Sequence, residues 1–168
     1  MDVGYGSNCA TRPLPLKEDA VEPHIRPAET RLIRDTLSEF TDKTQHVWVY
    51  QVRYNPQSDW IPHICFSETE FLAQDFTLMN FFTSKHPSSW FIQMFVCSLM
   101  IMSEDGQEVQ GQYTMSGNQV KRRIHGQTEV LQTMESEDDR VQALAKWSGM
   151  CLREDEAQGI QGLMSQIK

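Results

Sequence analysis

The chain has 168 residues, a length that suits one domain with flanking segments. Fifteen Lys and Arg against 23 Asp and Glu give a formal charge of -8, and 39% of residues are hydrophobic. The chain is therefore neither a polycation built for phosphate backbones nor too poor in apolar residues to fold, and nucleic acid is disfavoured as a partner.

Residues 1–27 carry four of the seven prolines (Pro13, Pro15, Pro23 and Pro27) and no periodic hydrophobicity, which predicts an extended tail. Pro27 is placed to start a helix, and Leu32, Ile33, Leu37 and Phe40 share one helical face, so residues 28–42 are expected to be an amphipathic helix. His46 to Tyr54 alternates Trp48, Tyr50, Val52 and Tyr54 with a second set and reads as a strand. Asn55-Pro56-Gln57-Ser58-Asp59 is turn chemistry, and Trp60 to Phe66 returns as its partner strand, with Pro62 at an edge or bulge.

Ser67-Glu68-Thr69-Glu70 fits a capping box and predicts a second helix running to Phe82. Its apolar residues spread over a wide arc, and Asp75 falls within that arc. Trp90 to Met102 is apolar on both faces, so it is expected as a central strand; it is also shorter than the roughly 20 residues that a membrane-spanning helix needs. Asp105-Gly106 and Gly117-Asn118 are hairpin signals, and strands over 109–115, 120–125 and 129–134 complete a meander. Ser136 followed by Glu137, Asp138 and Asp139 opens a third helix. These elements give an α+β fold with a mostly antiparallel, curved sheet of about five to six strands and three helices. The expected organisation is a tail (1–27), one domain (28–153) and a C-terminal tail (154–168), acidic and then weakly amphipathic.

For chemistry, Asp75 stands out, because a carboxylate on the apolar side of a helix is costly unless paired or protonated. A curled sheet over it would make Asp75 a general base, the reading of a small-molecule binder or a cofactor-free lyase or isomerase. His63 and Cys65 are two apart on a strand and leave the same face, a spacing compatible with a thiolate and imidazole pair. Cys9, Cys65, Cys97 and Cys151 lack C-x-x-C spacing, so no metal is expected and the thiols are expected reduced, in the cytoplasm. The opening residues carry no secretory leader pattern, and no phosphate-cradling loop or serine elbow is present, so no cofactor is expected.

Lys121-Arg122-Arg123 lie in a stretch, residues 109–128, without a single acid, which suits an acidic protein surface or lipid headgroups. Ile160, Leu163, Met164 and Ile167 form a short apolar stripe able to dock on a partner. Weak catalytic signals and opposite charge patches thus predict a non-enzymatic binding or assembly protein, a homo-oligomer acting through protein contacts. Its organisation, a proline-bearing tail before a compact unit, also suits a viral matrix or accessory protein.

Overall fold

The structure is a computed structural model and describes residues 8–167. The chain divides into two compact units. The first comprises residues 1–70, 102–111 and 124–127; the second comprises 71–101, 112–123 and 128–168.

The first unit holds a four-stranded sheet in the order β1-β2-β3-β4, formed by β1 (Glu22–Pro23), β2 (Glu29–Asp35), β3 (Val47–Arg53) and β4 (Ile61–Phe66), all antiparallel. Here the expected first helix is corrected to a strand. Thr30 and Leu32 alternate inward with a period of two and pair with Val52 and Tyr50, and the Arg53–Glu29 ion pair closes the end of the ladder. The β-rich partner strand outweighs a helical periodicity that residues 28–42 also contain. The chain then turns, with Lys43 Nζ donating to Leu37 O at 3.1 Å, and reaches β3. Ala28, Leu32, Trp48, Tyr50 and Val52 form the core of this unit, with Ile64, Phe66, Tyr54, Ala10 and Leu14 packed against it.

The proline-bearing segment is extended, as its composition implies, but it is not loose. Cys9, His24 and Ile25 are buried, and Asp19 N donates to Leu32 O at 2.9 Å, laying the segment along β2. The described part of the expected tail is thus corrected to a packed segment, because its few apolar residues are buried against the sheet.

The second unit contains α1 (Ala73–Lys85), α2 (Trp90–Gln93), β5 (Val96–Met102), β6 (Val109–Ser116), β7 (Gln119–Ile124), β8 (Gln127–Thr133), α3 (Glu137–Ser148) and α4 (Glu154–Gln158), some of whose strand ends belong to the first unit. Its sheet has the order β5-β6-β7-β8. The two-residue connections at Gly117-Asn118 and His125-Gly126 have positive φ at Gly117, His125 and Gly126, the backbone that tight hairpins need. The α+β class therefore holds, with two four-stranded sheets in place of one sheet of five to six strands.

Three local expectations differ. Helix α1 starts at Ala73, because Ser67 Oγ accepts only from Thr69 N in a local turn while Glu68 accepts from Trp48 Nε1 at 2.7 Å and from Arg34 at 3.0 Å. The stretch Trp90 to Met102 begins as a helical turn after Pro87, so its strand is shorter than expected. That strand, β5, lies at the edge of its sheet, not the centre.

Helix α3 forms where expected. Ser136 Oγ accepts from Asp139 N at 3.1 Å, the Asp139 carboxylate accepts from Ser136 N at 3.1 Å, and Gly149 closes the helix at φ +70. Its inward face is Arg140, Ala143, Leu144 and Trp147, packed with Met115, Val120 and Met134.

Candidate functional site

The polar groups that come together inside the first unit lie on the core face of its sheet. Tyr50 is buried in mid-β3 with Thr30 of β2 and Cys9 as neighbours, and its ring is tilted against His63, 6.5 Å away between centroids. Thr30 Oγ1 donates to Gln51 O at 3.1 Å, and the Tyr50 hydroxyl is left without a hydrogen bond of normal geometry. Burial pushes the Tyr50 phenol up to about 12, with Cys9 adding to the rise and the Thr30 hydroxyl opposing it. Burial also holds the His63 imidazole below its ordinary value. At neutral pH this is a set of uncharged groups: a phenol that can donate and an imidazole that can accept, without an ionised nucleophile.

On the opposite face, Trp60 lies under two guanidiniums, Arg31 at 4.4 Å and Arg53 at 4.5 Å from the ring centroid. Arg31 pairs with Asp19 at 2.8 Å and Arg53 Nε with Glu29 at 2.6 Å, so both charges are already balanced.

The expected His63 and Cys65 pair is not assembled. The register between β3 and β4 shifts at Tyr50/Gln51, leaving His63 as the extra residue of a bulge. The bulge breaks the period-two alternation: His63 turns toward Tyr50, while Cys65 pairs with Val49 and is exposed. Asp75 is likewise not in a cavity. It is exposed, and its carboxylate accepts from Leu72 N at 2.8 Å, which makes it the N-terminal cap acceptor of α1. Among the described residues no group of three or more His, Cys, Asp or Glu is placed to hold a metal ion.

Lys121, Arg122 and Arg123 lie on β7, where Arg122 pairs with Glu129 across the hairpin, so only part of the basic run faces outward as charge. The stripe Ile160, Leu163, Met164, Ile167 does not form one helical face. Helix α4 stops at Gln158, and Gly162 at φ +77 turns the chain. Leu163 and Met164 are exposed, whereas Ile167 packs on the core of its own unit and Arg140 donates to Ser165 O at 3.0 Å. A cavity of about 10 Å³ between Cys97, Tyr113, Val120 and Trp147 is at most the size of a single water.

The most unusual surface is α1 with α2. No residue of either helix is buried. Leu78 is 73% exposed, Phe81 66%, Phe91 60% and Phe76 58%, with Leu72, Phe82 and Trp90 close behind. The sequence showed the breadth of this apolar arc but placed it against a sheet.

Comparison with known proteins supplies the context. The profile of a family described as N-acetyltransferase matches residues 1–154. The N-malonyltransferase FDB2 of Gibberella moniliformis is 34% identical over 163 residues, which cover 93% of this chain and 47% of that protein. The chain thus spans about half the length of the curated relatives it matches. Among solved structures, the arylamine N-acetyltransferase of Salmonella typhimurium aligns with a TM-score of 0.71 at 20% identity, covering 95% of this chain and 54% of that one. The Mycobacterium marinum arylamine N-acetyltransferase in complex with CoA aligns with a TM-score of 0.67 at 22% identity, covering 88% and 47%. The profile match and the fungal relatives overturn the expectation of a non-enzymatic binding or assembly protein, and with it the lyase, isomerase and viral matrix readings. We found no local nucleophile or phosphate motif in the sequence that pointed to this family.

Proposed function

This chain belongs to the N-acetyltransferase family, and from that premise we propose that it forms part of an N-acyltransferase, which moves an acyl group from a coenzyme A thioester to an amine. In that reaction the carbonyl carbon exchanges its bond to sulfur for one to nitrogen. The thiol of coenzyme A leaves and takes up the proton that the amine loses. The observation that carries this reading is the profile match across residues 1–154.

The donor class is supported by the CoA complex of a structure with the same fold. Malonyl ranks first as the acyl group, since the fungal relatives named for malonyl transfer are closer in sequence than the solved enzymes named for acetyl transfer. A cytoplasmic setting, where acyl thioesters are made and thiols such as those of Cys65, Cys97 and Cys151 stay reduced, accords with this chemistry. No helix of the described residues is long and apolar enough to cross a membrane.

Within this reading the buried Tyr50 and Thr30, with the half-buried His63, support the sheet, and Asp75 caps the start of α1. The test is a chimera of the G. moniliformis N-malonyltransferase in which the matched segment is replaced by this chain. With malonyl-CoA and an arylamine, mass spectrometry should detect the N-malonyl amide and release of free coenzyme A. A folded chimera that makes no N-acyl product from either malonyl-CoA or acetyl-CoA overturns the reading.

A further inference from the structure

We propose that Arg140 anchors a binding site for a small carboxylate with an apolar body, and that residues 160–167 are a displaceable strap over that site. The site lies in the second unit and is independent of the acyl-transfer reading.

A buried guanidinium is costly unless its donors are met, and Arg140 is only 4% exposed. Burial pushes its guanidinium below its ordinary value, with the Glu137 carboxylate opposing the fall. Nη1 lies 3.1 Å from Glu137 without hydrogen-bond alignment. Nη2 donates to two backbone carbonyls, Ser165 O at 3.0 Å and Gly117 O at 3.4 Å. Nε is enclosed and has no hydrogen-bond partner among the described residues. The N–H groups of Nε and Nη2 share one edge of the planar fork, the edge that grips a carboxylate through two parallel hydrogen bonds. On Arg140 this edge holds neutral carbonyls on one nitrogen and nothing on the other.

The segment over this edge is weakly held. Residues 160–167 form no helix or strand, and Gly162 at φ +77 turns them. None of them is buried, and Leu163 and Met164 are 53% and 60% exposed. Two hydrogen bonds tie the segment to the rest of its unit, from Arg140 to Ser165 O and from Ile167 N to Glu137. Its other hydrogen bonds among the described residues run within it or to Gln158 just before it. Ile167 is its contribution to the core of Met115, Val120 and Met134. A segment with so few buried contacts opens before the fold does.

Those contacts describe the ligand. Ser165 O offers the guanidinium an acceptor, and Ile167 offers the core an apolar group, with the Phe95 ring centroid 5.3 Å from the guanidinium carbon. A carboxylate joined to an apolar body supplies both, and adds a charge and a second oxygen for Nε. A doubly charged phosphate meets stronger repulsion from Glu137 and lacks the apolar half.

The strap must lift before the ligand enters, so the apparent affinity is the intrinsic affinity reduced by the fraction open. Loosening the strap therefore tightens binding, the reverse of what losing a structural contact does at a preformed site.

The probe is phenylacetate titrated into the whole chain, with phenylacetamide as its neutral counterpart and inorganic phosphate as an anion without an apolar body. Nuclear magnetic resonance follows the Arg140 Nε–H signal and the amide exchange of residues 163–167. Phenylacetate should shift that signal saturably and speed exchange at 163–167 while the amides of α3 stay protected, and phenylacetamide should bind at least about tenfold more weakly. Ile167→Asp should tighten phenylacetate binding by about tenfold or more, and the milder Ile167→Ala should move it in the same direction. The proposal is overturned by the absence of a saturable shift at Arg140 in the parent and both variants, or by equal binding of phenylacetamide or phosphate. Slower exchange at 163–167 on binding, or an affinity unchanged or weakened in both variants, overturns it as well.

Discussion

Replacing Tyr50 by Phe isolates a titration that the fold imposes on one buried hydroxyl. The phenol has an ordinary value of 10.0 and is pushed up to about 12 in the folded chain, mainly by burial. Above pH 10 the unfolded chain therefore releases this proton while the folded chain keeps it, so the folded state binds more protons and stability falls as pH rises. The loss is about 1.36 kcal/mol per pH unit across the interval, reaching about 2.7 kcal/mol above both values. Urea unfolding at 25 °C, followed by circular dichroism between pH 9 and 11.5, gives the stability of both proteins, and their difference cancels the other tyrosines and the cysteines. At pH 9 the variant should be as stable as the parent or up to about 1 kcal/mol more stable, because the lost hydroxyl has no hydrogen bond of normal geometry to forfeit. Above pH 10 the parent should weaken faster. Parallel curves over the whole range, or a Tyr50→Phe protein more than about 1 kcal/mol weaker at pH 9, would refute the reasoning.

Three further outcomes follow from the same geometry. Arg140→Ala removes a buried guanidinium that holds Glu137 at 3.1 Å and Ser165 O at 3.0 Å; it should cost about 3 kcal/mol and speed amide exchange at residues 163–167, and unchanged exchange there would show that Arg140 does not anchor the C-terminal segment. Ser136→Ala deletes the side chain that receives Asp139 N and should cost about 1 kcal/mol in urea unfolding, a loss that Ser136→Asp restores. His63, held below its ordinary value by burial, favours the folded state only while neutral, so stability should fall as pH drops through 6.5. His63→Gln should flatten that acid limb, and an identical limb in the variant would place the sensitivity elsewhere.

Much of the second unit was legible in the sequence, since its signals are local. Gly117 sits at positive φ, as its turn requires, and Ser136 with Asp139 builds its capping box within four residues of chain. What escaped depends on partners distant in sequence. Residues 29–35 satisfy both a helical and a strand period, and only pairing with Val47–Arg53 decides between them. The bulge that separates His63 from Cys65 is a property of the β3 and β4 ladder, invisible in a spacing of two. Ser67 resembles a helix cap, but Glu68 is committed to Trp48 and Arg34, and the helix waits until Leu72. The candidate site was less legible than the fold. An apolar arc in a sequence does not state what covers it, and the exposure of Leu78 and Phe81 became meaningful only beside relatives twice as long.

Hydrogen exchange of the amides in residues 73–93, compared between the free chain and the chimera carrying the rest of the G. moniliformis enzyme, bears most directly on the proposal that this chain forms part of an N-acyltransferase. Enclosure should slow exchange there by about 100-fold or more, with the amides of α3 little changed. Equal rates in the two proteins would contradict it.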